Sequence, residues 1–296
     1  MRNLIIVQLV FVFFLEACGQ QTQNKSSSLD KATMESKPEI IDLVTILNPE
    51  GQLLETRINP PEGYQRAEVK DSSFARYLRQ LPVKPHGSEV LYFNGKTKPN
   101  RDVYEAVVAL EIGSKDLHQC ADAVMRLRAE YLWQNKQYDK IHFNFTNGFR
   151  VDYSKWMQGN RIVVKGNKVS WTSKYAPSNT YRDFWKYMET IFSYAGTYSL
   201  SKELHATGIE ELKAGDVFIQ GGFPGHAVMV VDRAIHPQTG EKVFLLAQSY
   251  MPAQEIQVLK NPQDPDISPW YPSDFGEILY TPEWTFKKAD LKRFKD

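Results

Sequence analysis

The strongest indication of the fold is the segment Gly215-Asp-Val-Phe-Ile-Gln-Gly-Gly-Phe-Pro-Gly-His-Ala-Val-Met-Val-Val231. It predicts a turn, a short strand, a glycine-rich loop and a second strand that begins at His226. Short apolar runs bounded by turn residues are typical of buried strands. A third apolar run, residues 243–247, follows the turn His236-Pro-Gln-Thr-Gly240. We therefore expect an antiparallel sheet that presents His226 at the start of a strand.

Upstream, an amphipathic pattern surrounds a cysteine: Asp116-Leu-His-Gln-Cys-Ala-Asp-Ala-Val-Met-Arg-Leu-Arg-Ala-Glu-Tyr-Leu132. Asp116 with Gln119 three residues later matches a capping box, which places Cys120 one turn inside a helix. Charged residues at four-residue spacing are expected to form a solvated stripe on this helix: Asp122, Arg126 and Glu130.

The remaining periodicity is mixed and predicts an α+β domain over residues 40–296. The predicted helices are residues 74–81 and 180–194. The predicted strands are residues 106–112, 141–145, a hairpin at 161–171 that turns at Gly166-Asn167, and a short strand around Ile278.

The N-terminus predicts export and membrane anchoring. A basic start is followed by an apolar run at residues 4–15, too short for a hydrocarbon core that needs ~20 residues. Residues 1–17 therefore read as a signal peptide. Leu15-Glu-Ala-Cys18 resembles a bacterial lipobox, which makes Cys18 the lipidated N-terminus and the lipid bilayer its partner. Residues 18–39 are a polar tether. Ordinary cleavage or a retained anchor are the alternatives.

Composition narrows the functional classes. The 42% hydrophobic and 24% charged residues are ordinary for a globular protein, and the formal net charge is only +1. Because no basic stripe is present, we expect no nucleic-acid partner. The sequence contains no zinc spacing, phosphate-binding loop or dinucleotide fingerprint, so we expect no metal and no cofactor. A metal set of His226, Asp232 and His236 is disfavoured by strand alternation and the intervening turn.

The chain has two cysteines, and a lipidated Cys18 would leave Cys120 without a disulfide partner. One interpretation is a buried small hydrophobe, because Cys120 shares a helical face with Val124, Leu127 and Tyr131. The other is a catalytic thiol activated mainly by His226, which requires a lowered thiol pKa.

A histidine in such a role needs an orienting partner. If the hairpin turns about Gln238, Gln248 is the nearest polar candidate, followed by Tyr250 on the same face. Gln119 or a backbone N–H near Cys120 could donate to an oxyanion. We expect the Cys120 sulfur and a His226 nitrogen to lie within roughly 4 Å.

Several of these stretches resemble known families. The Gly-Asp strand at 215–219, the His226 strand and the Cys-Ala-Asp-Ala-Val helix start are similar to NlpC-type papain-like cysteine peptidases. Nearly the whole mature chain resembles a family of Bacteroidetes lipoproteins that carry domain of unknown function 4846. The matching stretches are Gln119-Cys-Ala-Asp-Ala-Val-Met-Arg-Leu-Arg-Ala-Glu-Tyr131, Tyr194-Ala-Gly-Thr197, Gly221-Gly-Phe-Pro-Gly-His226 and Gln248-Ser-Tyr-Met-Pro-Ala-Gln254.

The peptidase resemblance implies a papain-like core over about residues 105–255, a helix packed on an antiparallel sheet. About 95 residues separate Cys120 from Gly215, which implies a strand-rich insertion at 141–171, and residues before the core form an N-terminal extension. The implied function is an envelope-anchored cysteine hydrolase of amide bonds, with peptidoglycan or other peptides as candidate substrates, facing the periplasm or the cell surface. The alternative is a non-catalytic lipoprotein that binds glycan or a partner protein, for which Trp270 in a Pro-rich loop is a candidate stacking residue.

Overall fold

A nine-stranded antiparallel sheet organises the computed structural model, which describes residues 45–295. Its main path runs β2-β11-β10-β9-β8-β15-β7, while β1 pairs with β9 and β12 pairs with β10. Three further antiparallel pairs lie outside this sheet: β3-β4, β5-β6 and β13-β14. Helices and strands are therefore mixed around one large antiparallel sheet, in agreement with the predicted class.

The helices are α1 Leu54–Arg57, α2 Phe74–Arg79, α3 Cys120–Gln134, α4 Tyr153–Met157, α5 Tyr181–Tyr194 and α6 Thr197–Glu203. Strands β1 to β8 are Gln65–Arg66, Tyr104–Val107, His142–Asn144, Arg150–Asp152, Asn160–Lys165, Lys168–Ser173, His205–Ala206 and Val217–Gln220. Strands β9 to β15 are His226–Ile235, Lys242–Gln248, Gln257–Leu259, Tyr271–Pro272, Ile278–Tyr280, Thr285–Lys287 and Leu291–Arg293. Short 3₁₀ turns occur at Tyr138–Lys140, Ile209–Glu211 and Lys288–Asp290.

The central strands are buried on both faces, which explains why their sequences are continuously apolar. In β9, Met229 and Val231 pack with the helices on one face, whereas Val228 and Val230 belong to a second cluster on the other. The second cluster includes Phe286 of β14, so the C-terminal hairpin covers that face. The three predicted central strands, β8, β9 and β10, are confirmed.

Helix α3 packs on β9, but it begins one turn later than the sequence predicts. Its N-cap is Gln119, whose backbone N–H donates to Asp122 Oδ2 at 3.0 Å. The predicted cap was wrong because Asp116 is engaged elsewhere, accepting from the backbone N–H of Ala253 at 2.7 Å. Cys120 is therefore the first residue of the helix, where backbone N–H groups have no intrahelical acceptor.

The predicted solvated stripe on α3 is also wrong. Asp122, Arg126 and Glu130 are 6%, 2% and 3% exposed. Arg126 lies over the ring of Trp185 at 4.7 Å, and Glu130 accepts from the hydroxyl of Tyr181 at 2.6 Å. These charges are buried because α5 and the segment before α3 cover the face that a lone helix would expose to water.

The predicted strand-rich segment around residues 141–171 forms two small hairpins. One pairs β3 with β4, and the other pairs β5 with β6 through the predicted turn at Gly166-Asn167. Helix α5 follows, capped by the Thr180 side chain, which accepts from the backbone N–H of Asp183 at 3.3 Å. The predicted helix at residues 180–194 is confirmed to within one residue, with Thr180 as its N-cap.

Trp270 is not a surface platform, because it is fully buried and its indole N–H donates to the Asn59 carbonyl at 2.8 Å. Within residues 45–295, no helix has the length and apolarity needed to cross a membrane. The predicted signal peptide, Cys18 and the whole tether at residues 18–39 lie outside the described residues, so those boundaries stay predictions.

Candidate active site

Cys120 and His226 line one cavity of about 510 Å³. The cavity lies where the N-terminus of α3 meets the start of β9. The backbone N–H of Ala227, the residue after His226, lies within hydrogen-bonding reach of the Cys120 sulfur. Cys120 is only 8% exposed and lines the wall of this cavity. The structure therefore places the thiol and the imidazole, which are 106 residues apart in the sequence, on the wall of one cavity, and the expected approach of the sulfur to a ring nitrogen within roughly 4 Å stays a prediction.

The strand register explains how Gln248 reaches His226. Met229 pairs with Ala247, so Gln248 at the end of β10 lies beside the first residues of β9. Alternation places Gln248 and His226 on the same sheet face as Val228 and Leu246. His226 Nε2 lies 2.8 Å from Gln248 Oε1, within a buried hydrogen bond. The predicted pairing of these two side chains is confirmed as a contact.

Glu283 and Lys98 fix the orientation of the Gln248 amide. Gln248 Nε2 donates to Glu283 Oε2 at 2.6 Å, and Lys98 Nζ donates to the same oxygen at 2.6 Å. Because a carboxylate only accepts, the amide nitrogen must face Glu283 and the amide oxygen must face His226. His226 therefore carries its proton on Nε2, which leaves Nδ1 as a proton acceptor.

Aromatic rings enclose the imidazole. Tyr250 lies edge-on at 4.7 Å between centroids, Trp284 is tilted at 5.3 Å, and Phe286 is stacked at 6.0 Å. Burial by these rings lowers the pKa of His226 to about 4, against the opposing effect of the Gln248 hydrogen bond. The ring is therefore neutral at pH 7, the form that can accept a proton.

Burial raises the pKa of the Cys120 thiol to about 11, and the neighbouring Asp122 adds to this shift. Backbone N–H groups of Ala121, Ala227 and Cys120 itself act in the opposite direction. The expected lowering of the thiol pKa is therefore wrong for the free protein. The resting cavity therefore contains a neutral thiol and a neutral imidazole.

Gln119 also lines the cavity, beside the thiol as expected. The Gln119 side-chain NH₂ group has two N–H donors. One of them donates to Asp116 Oδ1 at 3.2 Å, which leaves the other N–H for a ligand. The backbone N–H of Cys120 is the first of α3, so it points out of the helix without an intrahelical acceptor. The Cys120 backbone N–H and the second Gln119 amide N–H are therefore two donors at the start of α3 that could stabilise an oxyanion.

The sequence did not reveal the residues that support the site from a distance. Glu283 and Trp284 lie in the segment between β13 and β14, and Lys98 lies before β2. Lys98 is 4% exposed, and burial lowers its pKa while Glu283 opposes the shift. A single sequence carries no signal for these contacts, because each joins segments more than 30 residues apart.

The metal set considered from sequence does not assemble. Asp232 accepts from Arg79 Nε at 2.8 Å and pairs with Arg66, while His236 contacts Tyr64 at 5.2 Å between ring centroids. In the part of the chain that the structure describes, no group of three or more His, Cys, Asp or Glu side chains could hold a metal ion.

Comparison with known proteins assigns the chain to a family whose function is not described. No curated protein and no solved structure matches the chain. Residues 54–293 match the family described as Domain of unknown function (4846). This match includes all the residues that line the cavity, together with Glu283 and Lys98. The chain is therefore a member of the family of domain of unknown function 4846.

Proposed function

We propose that this protein is an envelope-anchored lipoprotein whose papain-like core hydrolyses amide bonds, with peptidoglycan peptides as a candidate substrate. One observation carries the proposal: the Cys120 thiol at a helix N-terminus shares a cavity with His226, whose Nε2 contacts Gln248 Oε1 at 2.8 Å. A nucleophile, a base and an orienting group in this arrangement are the elements of acyl transfer.

In the proposed mechanism, His226 acts as a general base because both partners rest in their neutral forms. Nδ1 takes the Sγ–H proton as the sulfur forms a bond to the amide carbon. The carbonyl oxygen becomes an oxyanion, which accepts from the Cys120 backbone N–H and the Gln119 amide. His226 then returns the proton to the departing nitrogen as the C–N bond breaks, leaving a thioester on Cys120.

Water completes the cycle. His226 Nδ1 takes a proton from the attacking water, a carboxylic acid leaves, and the thiol is restored with its proton. Gln248 holds the imidazole plane through both steps and stabilises the imidazolium that forms transiently.

The test is digestion of purified peptidoglycan and of a peptide library by the detergent-solubilised full chain, followed by mass spectrometry. We expect new amide cleavage products with the unmodified protein and none with Cys120→Ala or His226→Ala. Tyr280→Ser, on the surface of β13, serves as a control that keeps the activity. Products that persist in Cys120→Ala contradict the assignment, and so does a complete lack of cleavage across both substrate sets, which favours the non-catalytic alternative.

A further inference from the structure

The mouth of the catalytic cavity carries two highly exposed apolar side chains. Phe223 is 84% exposed and Met251 is 63% exposed, and both line the cavity that contains Cys120. The ring of Tyr198 stacks on Phe223 at 6.3 Å between centroids. Single exposed apolar residues are common on proteins, but a cluster around a cavity marks a binding surface.

The loop that carries Phe223 is fixed by close packing against α6. A Cβ added at Gly221 would lie 2.1 Å from Ser201 Oγ, and one at Gly225 would lie 2.4 Å from Thr197 Oγ1. Thr197 Oγ1 also donates to the Gly222 carbonyl at 3.3 Å. Because the backbone is held on both sides of Phe223, its ring is presented to solvent by a preorganised loop, which lowers the entropic cost of binding.

The cavity wall offers no cation. No lysine or arginine is among the described residues that line it, and its one carboxyl belongs to Asp122. Burial raises the pKa of Asp122 well above its ordinary value, so this carboxyl favours its neutral form and adds no formal charge to the wall. A substrate carboxylate beside the reacting bond would be desolvated without a partner, which is costly.

We infer that the site binds a neutral, apolar side chain on a residue flanking the scissile amide, held between Phe223 and Met251. The inference rests on the proposed function and narrows its substrate class to peptides with an apolar residue at the cleavage point. Acidic residues of a peptide are excluded from this position and remain possible further from the bond.

Binding can be measured without catalysis. The full chain with Cys120→Ala is titrated, by fluorescence polarisation, into fluorescein-labelled peptides that differ only at the two residues flanking a central amide. The set compares Leu and Phe with Gly, Glu and Lys at each flank. We expect Leu or Phe at one flank to bind about tenfold tighter than Gly or Glu, the discrimination that one apolar contact supplies.

The variants Phe223→Ser and Met251→Ser, each in the Cys120→Ala background, should reduce this preference to about threefold or less. Tyr280→Ser removes another exposed aromatic, 45% exposed and outside the cavity, and should leave the preference unchanged. Equal or tighter binding of the Glu peptides overturns the inference, as does an apolar preference that survives both variants or a lack of binding by every apolar peptide. Tight apolar binding with no cleavage by the unmodified protein instead rejects the proposed function and keeps the binding site.

Discussion

At the scale of single residues, the imidazole tautomer depends on a chain of contacts that reaches Lys98. The chain runs from His226 through Gln248 and Glu283, with distances of 2.8, 2.6 and 2.6 Å between successive polar atoms. Without the carboxylate, the Gln248 amide could rotate by half a turn and present its nitrogen to His226. That rotation would favour a proton on Nδ1, where the proposed mechanism needs an acceptor.

We therefore predict that Glu283→Gln lowers kcat about 10- to 100-fold with little change in KM. A hydrogen bond to a charged group contributes about 1.5–3 kcal/mol, which corresponds to that range of rates. Steady-state kinetics on any substrate that the protein cleaves checks the effect. Glu277→Gln, an exposed neighbour in sequence, is the matched control and should behave as the unmodified protein. An unchanged kcat in Glu283→Gln would show that the amide orientation does not depend on the carboxylate.

The thiol pKa gives a second prediction. Only the thiolate alkylates, and burial raises the pKa of Cys120 to about 11. A raised pKa lowers the fraction of thiolate at pH 7. Iodoacetamide labelling at pH 7 should therefore be slower than that of an unperturbed thiol, whose pKa is about 8.5. The rate should rise about tenfold per pH unit from pH 7 to 10, until the pKa is approached.

Labelling is followed by mass spectrometry of folded protein across that pH range, with Cys120→Ala as the blank. Asp122→Asn removes the second cause of the raised pKa and should increase the rate at pH 9 to 10. A rate that is already maximal at pH 7 would mean that the thiol rests as a thiolate paired with the imidazolium, and the general-base mechanism would be wrong.

The contact between His226 and Gln248 could be predicted because strand alternation and a hairpin register are local rules. Gln248 follows from counting residues around the turn at 236–240, and the observed pairing of Met229 with Ala247 agrees. Glu283 could not be found in this way, since it approaches from another hairpin. The predicted lowering of the Cys120 pKa was wrong for a related reason. Burial by segments distant in sequence raises this pKa more than the N–H groups at the start of α3 lower it.

At the scale of elements, a buried ion cluster connects α2, β1 and β9. Asp232 of β9 is fully buried and accepts from Arg79 Nε of α2 at 2.8 Å, while Arg66 of β1 contacts its other oxygen. Asp232 Oδ1 also accepts from the backbone N–H of Arg233 at 2.8 Å. One carboxylate thus holds two elements against the strand that carries His226.

We predict that Asp232→Asn destabilises the folded state by about 3 kcal/mol, since it leaves two largely buried guanidinium groups without their counter-ion. The control is Glu89→Gln, which breaks the solvent-exposed pair with Arg101 and should change the free energy of unfolding far less, because water and salt screen exposed ion pairs. Urea unfolding at pH 7 measures both free energies, and equal m-values show that the comparison is valid. A loss in Asp232→Asn as small as that in Glu89→Gln would mean that the cluster contributes no net stability.

Elements with strong local signals were predicted well, and those set by tertiary packing were not. The extent of helix α5 and the turn of the β5-β6 hairpin depend on neighbours in sequence, so both predictions are confirmed. Helix α3 has two overlapping capping patterns, Asp116 with Gln119 and Gln119 with Asp122. The choice between them depends on Ala253, whose backbone N–H engages Asp116, and no local rule contains that contact.

At the scale of the whole molecule, the sheet joins segments from most of the chain, and its edges were beyond sequence reasoning. Strand β15 at the C-terminus pairs with both β8 and β7, and β2 pairs with β11. Such pairings depend on long loop closures that leave no periodic trace in the sequence. The central strands were predictable because burial on both faces makes them continuously apolar.

The whole chain is proposed to be tethered to a membrane through Cys18, which lies outside the described residues. The basic start, the apolar run at residues 4–15 and Leu15-Glu-Ala-Cys18 predict cleavage before Cys18 and acylation of its thiol and amine. Two or more acyl chains hold a protein stably on a bilayer, whereas one chain gives only marginal binding. We therefore expect the protein in the membrane fraction of a bacterial host, with an acylated N-terminal peptide in its mass spectrum.

The variant Cys18→Ala should move the protein to the soluble fraction, and Cys120→Ala should leave it on the membrane. This pair of variants separates the two cysteines by role, because each removes one thiol and only the first removes the anchor. An unmodified mature N-terminus, or a retained segment 1–15, would show that the anchoring prediction is wrong. It would also leave Cys18 able to form a disulfide with Cys120, so the same mass spectrum tests whether Cys120 remains free to act as a nucleophile.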